Sequence, residues 1–229
     1  MKKKIAVLGA TGRTGIWIVN EALQRGYAVN ALVREQSSLN IEHPDLTIIK
    51  GTPTVAADLK RVMDGCQAVL NALNISRKNE WWLWSELSSS PTFLSDVARK
   101  LVDVASEAKV NRYLIVTAWG TGATKDEIPG WFRFFINNTK IGVTYQDHER
   151  QEAIWKNSGL DWTVVRPVGL TSDLEEKPVG VLLETKNTKP TNNQPDNCLL
   201  CRFICSLKKL SKKGRIIRTL RENSPYSKS

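Results

Sequence analysis

The chain has 229 residues, with 33 lysines and arginines against 23 aspartates and glutamates, which gives a formal net charge of +10 at neutral pH. No apolar run approaches the ~20 residues that a membrane span requires, so no span is expected. Four cysteines in a chain of this length do not suggest a disulfide framework, and we predict a cytoplasmic protein.

The positive charge is concentrated near the end of the sequence. Residues 186–229 hold 11 lysines and arginines against 2 acidic residues, whereas residues 1–185 are nearly neutral. A protein that binds nucleic acid would be expected to place its basic side chains along a structured face of its main domain. The distribution of charge therefore disfavours a nucleic-acid partner.

The first predicted strand, residues 5–9, leads into a glycine-rich loop. The loop reads Gly-Ala-Thr-Gly-Arg-Thr-Gly from Gly9 to Gly15, and a helix is predicted over residues 14–25. Glycines let the backbone approach a pyrophosphate closely, and the N–H groups and dipole at the start of the helix stabilise its negative charge. This order of strand, loop and helix predicts a dinucleotide cofactor.

The second predicted strand, residues 28–33, indicates which dinucleotide is bound. Arg34 follows it, 19 residues beyond Gly15, where an acidic residue would bind the ribose hydroxyls of NAD. An arginine can instead form a forked ion pair with the 2′-phosphate of NADP, and Arg13 could approach the same group. Glu35 would offer a carboxylate to NAD if the strand ended one residue later. The sequence thus favours NADP(H) and leaves NAD(H) possible.

Strands and helices continue to alternate along the chain. Further strands are predicted near residues 46–50, 67–73, 112–118 and 162–166, and further helices near 55–64, 93–109 and 146–158. This alternation predicts an α/β fold, a Rossmann-type doubly wound parallel sheet with helices on both faces, in a single domain. Residues 1–185 would form the NAD(P)-binding domain with the substrate cleft, and residues 186–229 a basic C-terminal segment.

Aromatic residues crowd the segments after the fourth and fifth predicted strands. Trp82 lies in the first segment, and Trp119 and Trp131 lie in the second. Ligands bind at the carboxyl ends of such strands, so these tryptophans could stack on a flat acceptor such as a flavin or quinone. The alternative is packing at the domain edge or in a dimer contact. The three tryptophans are the candidate substrate pocket, and the protein could be a monomer or a homodimer.

The Tyr-x-x-x-Lys pair of short-chain dehydrogenases is missing. Tyr145, for example, is followed four residues later by Glu149. His148 is the one group titrating near neutrality that could face the cleft from a helix, which makes it a candidate catalytic residue. The alternative for His148 is a capping or packing role.

Four motifs together carry a resemblance to a known family. They are Gly-Ala-Thr-Gly-Arg-Thr-Gly, Ala-Leu-Val-Arg, Asp-His-Glu-Arg-Gln-Glu and Gly-Leu-Asp-Trp-Thr-Val-Val-Arg-Pro, in this order between residues 4 and 185. The chain resembles the atypical short-chain dehydrogenase/reductase group, the NAD(P)H-binding NmrA-like proteins. Within that group it looks most like the NADH-flavin reductases and the biliverdin reductase B type.

The resemblance implies a set of site residues. Thr117 matches the family's serine after the fifth strand and keeps its hydroxyl, and the pair Asp147 and His148 matches the family's Asp-His pair. Thr117 and His148 are thus the implied catalytic residues. The implied cofactor contacts are Gly9, Thr11, Gly12, Arg13, Thr14, Gly15 and Arg34, with the backbone around Ala72, Leu73 and Pro167 near the nicotinamide.

The final segment departs from the family's pattern. Its Cys198, Cys201 and Cys205 have a spacing that could bind a metal, but a fourth ligand is not apparent and the positions also fit one apolar helix face. We therefore predict no metal site, and a solvated basic tail after the cysteines. Substrate binding could be altered relative to the family.

These observations predict an NAD(P)H-dependent reductase that transfers hydride from the nicotinamide to a flat conjugated acceptor. The alternative is a non-catalytic NADP(H)-binding sensor that regulates a partner, since a fold alone does not imply catalysis.

Overall fold

The computed structural model describes residues 2–79, 84–167, 179–184 and 215–221. Strands and helices alternate through this part of the chain. The strands are β1 (Lys4–Leu8), β2 (Ala28–Val33), β3 (Leu46–Lys50), β4 (Ala68–Asn71), β5 (Arg112–Val116), β6 (Asp161–Arg166), β7 (Val179–Glu184) and β8 (Arg215–Arg221). The α-helices are α1 (Arg13–Gln24), α2 (Ala56–Met63), α3 (Phe93–Ala108), α4 (Gly130–Asn138) and α5 (Ile141–Asn157), and a 3-10 helix spans Gly122–Glu127.

The strands form one sheet in the order β3-β2-β1-β4-β5-β6-β8-β7. Strands β1 to β6 pair in parallel, for example with Ile5 opposite Val29 and Tyr113 opposite Trp162. The chain therefore reverses its direction of winding between β1 and β4, which is the switch point of a Rossmann-type doubly wound sheet. The predicted α/β fold class is confirmed.

The core lies on both faces of this sheet. Strand β1 is buried along nearly its whole length because alternate side chains enter opposite layers. Val7 packs with α1 on one face, whereas Ala6 and Leu8 pack with α2, α3 and Trp155 of α5 on the other. Helices on both faces are thus confirmed, and the carboxyl ends of β1, β4, β5 and β6 meet at one edge.

Helix boundaries follow from local chemistry in several places. Helix α1 ends at Gln24, and Gly26 beyond it has a positive φ of 77°, which glycine adopts without strain, while Gly26 N donates to Leu23 O at 2.9 Å. The segment Gly130–Asn138, which contains Trp131 and for which no helix was predicted, is helix α4. Helix α5 begins at Ile141, five residues before the predicted start at residue 146.

Two strands lie beyond the six that were predicted. Strand β8 pairs in parallel with β6, with Thr163 opposite Arg215, and β7 pairs antiparallel with β8. The prediction of a solvated tail was therefore wrong for Arg215–Arg221, which belongs to the sheet. The predicted domain boundary at residue 185 stays a prediction, and Cys198, Cys201 and Cys205 lie outside the described residues.

Candidate functional site

The loop from Gly9 to Gly15 is folded tightly between β1, β4 and α1. Gly9 has a φ of +76°, and a Cβ atom there would lie 2.8 Å from Ala72 O. A Cβ atom on Gly15 would lie 1.9 Å from Gly9 O, well inside van der Waals contact. Gly12 N donates to Gly9 O at 3.0 Å and closes the turn. Glycine is therefore required at Gly9 and Gly15 for the loop to hold this shape.

The N-terminus of α1 is suited to an anion. The N-cap residue Gly12 provides no side-chain cap, and the first turn holds no acidic residue. Thr11 and Thr14 are half-buried beside this terminus, and Arg13 is exposed. Helix N-termini of this kind present backbone N–H groups and a partial positive charge to a phosphate. The residues present thus fit the pyrophosphate of a dinucleotide.

The predicted nicotinamide side lies at the same edge of the sheet. Ala72 N donates to Leu8 O at 3.0 Å, and Ala72 and Leu73 lie directly beside Gly9. Pro167 follows β6, and its carbonyl accepts a hydrogen bond from Trp119 N at 3.3 Å. The structure brings these backbone segments together, and their contact with the cofactor stays a prediction.

Arg34 directly follows β2 and is exposed, as is Glu35. Lys50, the last residue of β3, lies beside them, and its Nζ is 3.4 Å from both Arg34 O and Glu35 O. Lys50 Nζ also donates to Ser37 O, so one cation fixes the turn that carries Arg34. Lys50 was not among the predicted site residues, although a charged residue at the carboxyl end of a strand was a usable signal.

Thr117 directly follows β5 and is buried. Its hydroxyl is directed toward the ion pair between Glu152 and Arg166. Its Oγ1 donates to Glu152 Oε1 at 3.2 Å and lies 3.4 Å from Val165 O. Arg166 in turn donates to Glu152 from Nε at 3.1 Å and from its terminal nitrogen at 2.6 Å. Glu152 is 2% exposed and Arg166 is fully buried, so Thr117 is held by a desolvated, two-point salt bridge.

His148 lies on the buried face of α5, one helical turn before Glu152. Gln151 Nε2 lies 3.1 Å from His148 Nδ1, within hydrogen-bond distance. Burial lowers the pKa of His148 from 6.5 to about 4, so the imidazole is neutral at neutral pH. Its neighbour Asp147 faces α3 instead, where it accepts hydrogen bonds from Leu94 N and from the Ser95 hydroxyl at 2.7 and 2.6 Å.

The candidate aromatic pocket is only partly described, since Trp82 lies outside the described residues. Trp119 is half-buried, and Trp131 at the start of α4 is 66% exposed. A cavity of about 410 Å³ lies next to α4, and Trp84 lines it while neither Trp119 nor Trp131 does. A role for Trp119 and Trp131 in binding the acceptor stays a prediction.

Two features are absent from the described residues. Among them, no helix combines the length and hydropathy needed to cross a membrane. Within the same residues, histidine, cysteine, aspartate and glutamate form no group of three or more that could hold a metal ion.

Comparison with known proteins gives a family. The model of the family described as NAD(P)H-binding matches residues 9–195. An uncharacterized chloroplastic protein of Arabidopsis thaliana, At2g34460, is 31% identical over 193 residues, which are 81% of this chain and 65% of that protein. Cinnamoyl-CoA reductase 1 of the same plant is 27% identical over 190 residues, 72% of this chain and 52% of the relative. The chain thus spans about half to two thirds of the length of these relatives.

A solved structure supports the fold. A short-chain dehydrogenase/reductase from Veillonella parvula, solved in complex with NADP, superimposes with a TM-score of 0.72 over 100% of this chain and 99% of that one. The sequence identity is 17%, so this likeness shows the fold alone.

Proposed function

The chain belongs to the NAD(P)H-binding family of oxidoreductases, and from this premise we propose that it is an NADPH-dependent reductase of a flat conjugated acceptor such as a flavin or quinone. One observation carries the proposal. The glycine loop leads into an uncapped helix N-terminus at the edge of the sheet where the backbones of Ala72 and Leu73 approach Gly9. This arrangement fits a dinucleotide whose nicotinamide lies over the carboxyl ends of β4 and β5.

Arg34 and Lys50 support a preference for NADPH. Arg34 is exposed at the end of β2, and Lys50 holds the carbonyls of residues 34, 35 and 37. The guanidinium of Arg34 on this turn can pair with a 2′-phosphate. The ammonium group of Lys50 adds positive charge to the same turn. Glu35 is the group that would favour NADH. The Veillonella parvula protein, which binds NADP in its crystal, is consistent with the preference.

The chemistry divides between the cofactor and the chain. NADPH, when bound, supplies the hydride, and a flavin acceptor that takes this hydride and one proton from solvent becomes the dihydroflavin. The chain orients the reactants, because the Thr117 hydroxyl can accept a hydrogen bond from the carboxamide or the acceptor while it donates to Glu152. His148, whose imidazole is neutral at neutral pH, orients the acceptor by a hydrogen bond rather than serving as an acid.

Steady-state loss of NADPH absorbance tests the proposal. Purified protein is given FMN, riboflavin, quinones and biliverdin, with NADH run in parallel. We expect turnover that favours NADPH, and Arg34→Ala should reduce the NADPH preference by about tenfold, the equivalent of one charge-assisted hydrogen bond. Thr117→Val should lower kcat more than it weakens NADPH binding. Equal use of NADH and NADPH by the wild-type protein would contradict the role of Arg34.

The glycine loop can be tested without any acceptor. Gly15→Ala should abolish measurable NADPH binding, because its Cβ atom would lie 1.9 Å from Gly9 O. Gly130→Ala is the matched control, since a Cβ atom there meets nothing within 4 Å. Calorimetric titration of both folded variants with NADPH gives the answer, and unaltered binding by Gly15→Ala would refute a cofactor site at this loop.

One observation favours a non-catalytic sensor as the second candidate. The Thr117 hydroxyl donates into the buried Glu152–Arg166 pair, and His148 is 4% exposed, so both candidate catalytic groups have structural partners. A sensor would bind NADPH and NADP+ with different affinities and turn over no acceptor, because only differential affinity biases a switch. Titrations with both cofactor forms beside the turnover assay separate the two functions.

Location and assembly stay predictions of the sequence. We retain a cytoplasmic protein, a monomer or homodimer, with a small-molecule acceptor as its partner. The Arabidopsis relative is chloroplastic by name.

A further inference from the structure

A cavity of about 410 Å³ lies beyond β5, between the 3-10 helix, α4 and the first turns of α5. Cavities that bind small molecules have volumes of about 300–1,000 Å³. Helix α5 runs opposite to the parallel strands, so its first turns lie at the carboxyl edge of the sheet, where ligands bind in doubly wound folds. The cavity therefore has the size and the place of a ligand site.

The cavity adjoins the proposed reaction site. Its wall includes Gly120, three residues after Thr117, and Glu149, which directly follows His148. Glu149 Oε1 accepts a hydrogen bond from Gly122 N at 3.2 Å and so joins α5 to the segment after β5. A ligand held here would lie next to the segments that carry Thr117 and His148.

Positive charge dominates the lining. Lys125, Arg133 and Lys140 contribute cations, and Glu149 is the one acidic residue among the described lining residues. Arg133 pairs with Asp126 at 3.2 Å, but the Asp126 side chain is 94% exposed, so this pair is weak and readily exchanged. Neither lysine forms an ion pair with another described residue. These groups suit an anionic ligand.

Two aromatic side chains complete the lining. Trp84 lines the cavity and is 53% exposed. Tyr145 packs edge-on against Phe132, with ring centroids 6.4 Å apart. Burial raises the pKa of Tyr145 to about 12, so its phenol keeps its proton and can donate at neutral pH. Flat rings stack favourably on such side chains.

We propose that this cavity is the outer part of the acceptor site and that it selects a flat conjugated acceptor bearing an anionic group, a phosphate or a carboxylate. The acceptor's ring system would lie toward Thr117 with its anionic group near Lys125 and Lys140. This inference rests on the proposed reductase function, which it deepens by naming the class of acceptor.

FMN and riboflavin form a matched pair of probes, because they share one ring system and differ by a phosphate. With NADPH saturating, FMN should have a KM at least about tenfold below that of riboflavin, the equivalent of ~1.4 kcal/mol. In Lys125→Met/Lys140→Met this advantage should fall to about twofold or less through a higher KM for FMN, with the riboflavin KM unchanged. Lys60→Met is the control, since Lys60 is exposed on α2 and lies outside the cavity.

A binding measurement keeps this inference separate from the reductase proposal. Quenching of flavin fluorescence gives the Kd of FMN and of riboflavin for the NADP+ complex, whether or not turnover occurs. Tighter binding of FMN that is lost in the double lysine variant supports the subsite even if no acceptor is reduced, and in that case only the reductase proposal fails. Equal affinity of the two flavins for the wild-type protein, or an FMN preference that survives in the double variant, would overturn the subsite.

Discussion

Glu152 is the residue on which the interior of the site depends. Its carboxylate accepts three hydrogen bonds, two from Arg166 and one from the Thr117 hydroxyl. Both charged groups are almost completely removed from water, so each satisfies the other. The position of the Thr117 side chain therefore depends on the buried pair of Glu152 and Arg166.

Removing one charge of this pair should be costly. Glu152→Gln keeps the shape but removes the buried carboxylate charge that Arg166 contacts at two points, and we expect a loss of about 3 kcal/mol in the free energy of unfolding. Lys156→Met is the control, because Lys156 is half-exposed and 4.0 Å from Glu152. Urea unfolding measures both variants. Losses of similar size in the two would mean that the buried pair is not the stabilising contact.

His148 should make stability depend on pH in the acid range. Its pKa is about 4 in the folded protein against 6.5 ordinarily, so the unfolded chain takes up the proton first as pH falls. Stability from the neutral ring is fully present above about pH 6.5 and is lost toward about pH 4. Wild-type protein should lose about 2 kcal/mol more than His148→Gln between pH 7.5 and pH 5.

Urea unfolding at the two pH values measures this difference. His43→Gln is the control, because it replaces the protein's other histidine, which is partly exposed. Identical pH dependence of His148→Gln and the wild-type protein would show that His148 takes up its proton without a penalty in the folded state.

At the scale of elements, α3 and α5 are joined by a cap. Asp147, in the middle of α5, accepts hydrogen bonds from two backbone N–H groups and one hydroxyl in the first turn of α3. The carboxylate is fully buried and stabilises N–H groups that have no partner within their own helix. Asp147 thus fixes how the first turn of α3 packs against α5.

Asp147→Ala should lower the free energy of unfolding by about 2 kcal/mol, because it removes a helix cap and leaves buried donors unsatisfied. Asp103→Ala is the matched control, since Asp103 is exposed on α3 itself and should change stability by less than about 0.5 kcal/mol. Thermal unfolding with calorimetry compares the two. Equal effects would show that the cap contributes nothing beyond an ordinary surface aspartate.

The strands and helices were predictable to the extent that they carry an apolar pattern. β2 was predicted with its observed bounds, and α3 ends one residue before the predicted limit of 109. Helix α5 was predicted too short at its start, because residues 141–145 comprise a glycine, β-branched residues and a tyrosine, which have low helix propensity. Helix α4 was not predicted either, because its aromatic residue Trp131 was interpreted as part of the substrate pocket.

The site was predictable where its chemistry is local. The glycine loop and Arg34 follow from residue type and spacing along a few dozen residues, and the structure gathers them at one edge of the sheet. Lys50 and the Glu152–Arg166 pair were missed because their partners come from other elements. A sequence shows which residues are charged, whereas burial and pairing depend on how the sheet is ordered.

At the scale of the whole molecule, the sheet is completed by residues distant in sequence. Deleting residues 215–229 removes β8, which leaves the outer edge of β6 unpaired and β7 without the strand to which it bonds. We expect this variant to aggregate on refolding, because an open edge is a template for another chain. Light scattering measures this against the control deletion of residues 222–229, which keeps β8. A variant without β8 that refolds as cleanly as the control would contradict the expectation.

The position of β8 between β6 and β7 also sets an order of events during synthesis. Arg215 pairs with Thr163, so about fifty residues must leave the ribosome after β6 before its edge can be covered. Strand β7 emerges earlier but must wait for the same partner. The half of the sheet that contains the glycine loop can therefore form early, whereas the half beside β6 closes late. Exposure to a chaperone or to another nascent chain is greatest in that interval, at the edge next to Arg166.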